Sequence, residues 1–174
     1  MTSRSERSGV SGRDGFIQHN RSTKGNPVKT IQLEKLDLMD AWLENDPDTA
    51  KVQVNFPLNK ASGADASAVV YFELERGKRL GRHTDSAEET ILLLSGTAEA
   101  VVGGQRGTLS AGEIALIPAM EPHELINTGE ETVRVVGFFS EPMVTSTFEQ
   151  RLMPMAQASL EQGAAPPTEP VPAR

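Results

Sequence analysis

The sequence predicts an all-β domain, a sandwich or barrel of short strands. Three observations carry that reading. From Lys51 to Phe139 the chain is a series of short apolar runs broken by turn residues. Gly103-Gly104 stands between two such runs, and both glycines tolerate the positive φ that a tight hairpin needs. No helical stretch between Ala66 and Phe139 is long enough to cross between parallel strands, which argues against a doubly wound sheet.

Taken in order, residues 1–27 are polar, with only Val10, Phe16 and Ile17 as isolated large apolar side chains, and are expected to form a flexible arm. Val28–Leu33 alternates weakly. Leu36, Met39 and Leu43, with Trp42 beside them, have helical spacing and predict a short helix over about 35–44. Strands are expected at Lys51–Leu58, Ser67–Glu75, Glu89–Ser95, Thr97–Val102, Thr108–Leu109, Glu113–Ile117, His123–Ile126 and Glu131–Phe139. The barrel domain is placed at 28–153. Residues 154–174 are read as a disordered tail, because the last eleven residues contain four prolines. There is no internal repeat and no second domain.

Composition narrows the function classes. The chain has 174 residues, a formal net charge of −7 and no cysteine. An acidic chain argues against nucleic acid and against an anionic membrane surface. No run approaches the ~18 apolar residues of a membrane span. No apolar signal segment is visible, so a cytoplasmic location is expected. Without cysteine there is no disulfide, thiolate ligand or cysteine nucleophile. Any metal site must use histidine, carboxylate or backbone oxygen, and the histidines are only three: His19, His83 and His123.

His83, Asp85 and Glu89 share parity. On one regular strand they would point to one face, with Glu88 on the other. His123 must come from another strand. Two imidazoles with carboxylate oxygens suit Fe, Mn, Zn, Ni or Co. The alternative is that His83 and His123 are only structural. His19 lies in the arm and has no evident role.

These spacings resemble the two signature motifs of the cupin superfamily. Gly77, His83, Asp85, Glu89 and Gly96 stand where the first motif has G-x5-H-x-H-x3/4-E-x6-G. Gly112, Pro118, Met120, His123 and Asn127 stand where the second has G-x5-P-x-G-x2-H-x3-N. Eight of these ten positions match, and the motif core is 77–127. Gly96, Gly112, Pro118 and Asn127 also read simply as turn or strand-end residues. The departures are Asp85, where the family usually has a second ligand histidine, and Met120, where it usually has glycine. Asp85 is either a substituted ligand or a lost one. If it binds, the ligand set with a divalent ion is neutral rather than singly positive, which favours harder ions such as Mn or Fe over Cu.

The resemblance implies a cupin double-stranded β-helix, a jelly-roll barrel, with one divalent metal ion (Fe, Mn, Ni or Zn) on His83, Asp85, Glu89 and His123. It also implies a dioxygenase-like or isomerase activity on a small molecule, with Glu89 as a possible base. Ile91, Leu93, Ile117 and Met120 would line the pocket. A homodimer is expected, with Leu92 and Leu94 either packed inside or forming its interface.

H-x-D…H is in addition the facial triad of iron oxygenases on related barrels, where 2-oxoglutarate users carry a basic residue some ten positions beyond the distal histidine. Arg134 stands eleven beyond His123, but among Val133, Val135 and Val136 an outward surface arginine is the ordinary reading. The competing functions are a non-catalytic ligand-binding or sensing cupin and a structural or storage role. The single short barrel argues against the last, and no helix-turn-helix pattern accompanies the barrel as it would in a transcriptional sensor.

Overall fold

A computed structural model describes residues 28–163. Contacts divide the chain at 30/31, and every strand among the described residues lies in the second unit. The expected arm and the Pro-rich end of the tail, with His19, lie outside the described residues.

Among the described residues twelve strands form one antiparallel sheet: β1 Met39–Leu43, β2 Asp46–Leu58, β3 Ala68–Leu74, β4 Arg79–Asp85, β5 Glu89–Ser95, β6 Thr97–Val102, β7 Gln105–Ser110, β8 Ile114–Ile117, β9 His123–Asn127, β10 Val133–Phe139, β11 Val144–Met153 and β12 Gln157–Gln162. The hydrogen-bonded order is β7-β6-β9-β4-β11-β1-β2-β3-β10-β5-β8, with β12 added to β11. The sheet curls into a nearly closed jelly-roll barrel, the architecture that the motif resemblance implies. Alternation sets the core. Ile91 and Leu93 on β5, Val70, Phe72 and Leu74 on β3, and Val133 and Val135 on β10 are buried at every second position.

Two expectations are corrected. The helix over 35–44 is absent; a short 3-10 turn at Leu33–Lys35 precedes β1. Ala41 and Leu43 are buried while β1 pairs with β2 along Ala41↔Val52 and Trp42↔Lys51. The period-two burial gained from pairing overrides the helical spacing. The tail does not begin at 154, because β12 pairs with β11 through Val144↔Gln162 and Ser146↔Leu160. An edge strand that satisfies half its backbone on a neighbour needs little apolar content of its own. Val28–Gln32 forms no strand.

The Gly103-Gly104 hairpin is present: both glycines have positive φ (57° and 82°), and Val102↔Gln105 closes the loop between β6 and β7. Asn127 acts as the expected turn residue. Its amide donates to the carbonyls of Leu74 (2.9 Å) and Glu131 (2.8 Å), and its Oδ1 accepts from Gly129 N–H (2.9 Å).

Candidate metal centre

The site follows from strand register. In β4, Gly81, His83 and Asp85 alternate inward. β9 pairs with β4 so that His123 stands directly across from His83. Opposed residues on antiparallel strands project to the same face, and the two imidazole centroids lie 4.2 Å apart. On the other side of β4, β11 places Ser146 across from Asp85 and Phe148 across from His83. Both pairs touch. Ser146 Oγ donates to Asp85 Oδ1 (2.5 Å), and the Phe148 ring stacks on His83 with centroids 4.7 Å apart.

Each imidazole is oriented by a backbone carbonyl two residues upstream. His83 Nδ1 is 2.7 Å from Gly81 O, and His123 Nδ1 is 2.9 Å from Glu121 O. A carbonyl can only accept, so each Nδ1 carries a proton and each Nε2 turns a lone pair to the site. Asp85 Oδ2 lies between them, 3.5 Å from His83 Nε2 and 3.3 Å from His123 Nε2. Asp85 is 2% exposed. The Met120 N–H fixes the Asp85 backbone by donating to its carbonyl (2.7 Å).

Ligand atoms of His83, Asp85 and His123 all fall within 4.8 Å of one another, the spread of a possible His-His-Asp metal site. Asp85 Oδ2 and His123 Nε2 are buried without a hydrogen-bond partner, an arrangement that costs free energy unless another group satisfies them. Two neutral imidazoles and a hard carboxylate oxygen suit a divalent first-row ion, so the residues fit the metal.

Electrostatics agree with that fit. Burial would raise the Asp85 pKa, but contacts from the His123 and His83 imidazoles and the Ser146 hydroxyl outweigh it and hold Asp85 below the usual carboxylate range. Burial would lower the His123 pKa, yet the Asp85 carboxylate, the Glu121 carbonyl and the Glu89 charge raise it. The carboxylates thus favour a positive charge at His123, the same preference that would hold a cation.

Glu89 is placed differently from the same-face expectation. β4 ends at Asp85, the chain turns through Ser86–Glu88, and Glu89 begins β5, far along the strand order. Glu89 is buried and Glu88 exposed. Glu89 Oε2 is 3.9 Å from His123 Nε2, outside the compact three-residue cluster. Burial pushes its carboxyl up to about 8, with the Asp85 charge adding and His123 opposing. Room for it depends on Gly137, where a Cβ would fall 2.0 Å from Glu89 Oε1 and 2.6 Å from Val70 Cγ1.

A cavity of about 300 Å³ adjoins the centre, lined by His83, Asp85, Glu89 and Ser146 and otherwise mainly by apolar residues of β2, β3, β11 and β12. The expected lining residues are corrected here. Ile91 and Ile117 line not this cavity but a smaller crevice that His123 and Glu89 also border, and Leu93 is in the core. Met120 is 62% exposed at φ 63°, a left-handed conformation that explains why glycine is usual there. Arg134 is absent from the lining; its Nε donates to Tyr71 Oη (2.7 Å) and contacts Glu73. Ser146 and Phe148 were not anticipated. The Val-x-Ser-x-Phe alternation of 144–148 was their only local signal.

Residues 70–139 match a protein family described as "Cupin domain". Among solved structures, the chain is similar to an oxalate decarboxylase formate complex from Lactobacillus farciminis, with TM-score 0.56 and 20% identity over 65% of this chain. That alignment spans only 34% of the decarboxylase chain. The polyketide cyclase RemF from Streptomyces resistomycificus aligns with TM-score 0.52 and 21% identity, covering 64% of this chain and 78% of that one. An uncharacterized conserved protein with a double-stranded β-helix domain from Klebsiella pneumoniae aligns with TM-score 0.52 and 20% identity, over 66% and 90%. No curated protein matches the chain.

Proposed function

Because this chain belongs to the cupin superfamily, we propose that it is a metal-dependent enzyme acting on a small molecule, with dioxygenase-like or isomerase chemistry at the His83–Asp85–His123 centre. The observation that carries this reading is the pair of buried, unpartnered donors, Asp85 Oδ2 and His123 Nε2, beside a cavity large enough for a ligand. A bound divalent ion would supply Lewis-acid or redox chemistry. The chain's own residues do the rest. His83, Asp85 and His123 would hold the ion, Ser146 and the two backbone carbonyls fix their orientation, and the apolar lining excludes water. Glu89 would serve as a further ligand or as the group that takes and returns a substrate proton. The similar decarboxylase and cyclase share the fold at low identity, and the fold by itself selects no reaction.

The test is elemental analysis of protein purified without a histidine tag, followed by reconstitution with Fe, Mn, Ni or Zn and an O₂-consumption screen on catechols, flavonols and diketones. Stoichiometric metal with turnover is expected. Stoichiometric metal with ligand binding but no turnover would select the non-catalytic sensing alternative. No metal with any ion would overturn both.

The assembly proposed is a homodimer. Leu94 on β5, Ile114 and Leu116 on β8, and Phe138 on β10 are exposed on the outward face of neighbouring strands. A monomer mass for the wild type in sedimentation equilibrium would overturn this, whereas a dimer that Leu116→Glu dissociates is expected.

A further inference from the structure

We infer that the ligand of the cavity is an uncharged, predominantly apolar molecule of one or two rings, and that the site rejects anions. The inference rests on the reading that this cavity serves the metal centre, and it adds the chemical class of what enters.

The argument starts from the walls. Val54 and Phe56 on β2, Phe72 on β3, Phe139 on β10, Phe148 on β11 and Leu160 on β12 all line the cavity. Four of these six are phenylalanines, although the whole chain has only six. Aromatic faces gathered from four strands form a surface for a flat apolar body. A volume of about 300 Å³ is at the small end of ligand pockets, near that of about ten waters.

Charge excludes the alternatives. Among the described residues no lysine or arginine lines the cavity; beside His83 its titratable lining groups are the acids Asp85, Glu89 and Glu161, of which burial keeps Glu89 protonated at neutral pH. A phosphate or carboxylate on the ligand would be desolvated with no lysine or arginine to receive it and with the Asp85 carboxylate nearby. The arginines on strands that contribute to the cavity are paired with other groups: Arg134 with Tyr71 and Glu73, Arg79 with Asp46 and Glu124, Arg82 with Glu149 and Arg151 with Glu44. The few neutral polar side chains, Ser146, Gln157 and Gln162, leave room for one hydrogen-bonding edge on the ligand.

The β12 strand makes this selectivity adjustable. It contributes Gln157, Leu160, Glu161 and Gln162 to the lining, yet it pairs only with β11. A change there alters the cavity with little demand on the barrel core.

The experiment compares 2-naphthol with 2-naphthoate, which share an aromatic body and differ in charge. Binding to metal-free full-length protein is measured by calorimetry, and the affinity for Mn²⁺ is measured separately. Metal-free protein should bind 2-naphthol at least about tenfold more tightly than 2-naphthoate. Leu160→Arg, with Gln157→Arg as the second variant, should strengthen naphthoate and bring the two ligands within about threefold. Equal or tighter naphthoate binding by the wild type overturns the inference, as does failure to bind either compound. Loss of Mn²⁺ binding with the naphthol preference intact would sink the metal reading and leave this one standing.

Discussion

The wall built from β4, β9 and β11 turns His83, Asp85, His123 and Ser146 inward, while the strands β2, β3 and β10 turn Val54, Val70, Phe72 and Phe139 toward the same interior. The first wall holds donors whose positions are fixed by cross-strand pairs and backbone carbonyls. The second supplies shape and dryness. The difference separates two properties that are often lost together on mutation. A fault in the first wall should affect ion binding, and a fault in the second should affect stability and ligand fit. Glu89 tests this division, because it joins the centre from β5, the strand that pairs with β10.

The largest effect expected is a crossed one. His83→Ala should weaken Mn²⁺ or Fe²⁺ binding by more than ~100-fold, exceeding the loss typical of a residue that only supports a ligand. Phe72→Ala should leave that affinity within about threefold while costing ~3–5 kcal/mol of stability through the lost apolar volume. Calorimetric metal titration and denaturant unfolding of both variants measure the contrast. Comparable metal losses in the two would dissolve the distinction between the walls.

A smaller effect concerns pH. Glu89 in the folded, metal-free protein is raised from 4.5 to about 8, so the folded state binds its proton more tightly than the unfolded state does. Its contribution to stability is therefore complete below about pH 4.5 and is lost as pH rises toward 8, on the order of a few kcal/mol. Asp85 acts in the opposite sense: its pKa is lowered, so its contribution is present above about 3.8 and fades under acid. Glu89→Gln should flatten the decline in melting temperature between pH 4.5 and 8. A decline that persists unchanged would assign it to another group.

The smallest effect is Ser146→Ala. It removes the hydroxyl that donates to Asp85 Oδ1 and frees the carboxylate to rotate. A loss of ~10-fold in metal affinity is expected, with unfolding shifted by ~1 kcal/mol. If Ser146→Ala binds metal as the wild type does, the pairing with β11 orders the strand but does not tune the centre.

How much of this was legible in the sequence depends on distance along the chain. The β-rich character and the Gly103-Gly104 hairpin rest on short spacings that survive folding, whereas His83 and His123, forty residues apart, were joined in the sequence only by their places in the two motifs. The site role of Asp85 stayed open in the sequence, because a carboxylate in a histidine's place is compatible with ligation or with solvent. Its position between two Nε2 atoms decides its placement. Ser146 and Phe148 were out of reach because their roles arise from the register of β11 on β4, a pairing across some sixty residues. The same-face argument for Glu89 assumed one continuous strand and missed the turn at Ser86–Glu88. The helix expected at 35–44 failed for a related reason: local spacing could not show that β2 stood ready to pair.

The two imidazoles take their orientation from main-chain carbonyls at the same offset, Gly81 for His83 and Glu121 for His123. That arrangement has a consequence for sequence drift. A carbonyl is present whatever side chain its residue bears, so no single side-chain replacement can delete either anchor. Position 121 can change freely in this respect; position 81 is held only by the Leu43 side chain packed against it. The geometry that presents a lone pair to an ion is thus inherited with the backbone, while charge and hardness are written at 85 and 89. If the proposed centre holds an ion, a descendant could exchange it for another by altering those acids alone, with its histidines still correctly aimed.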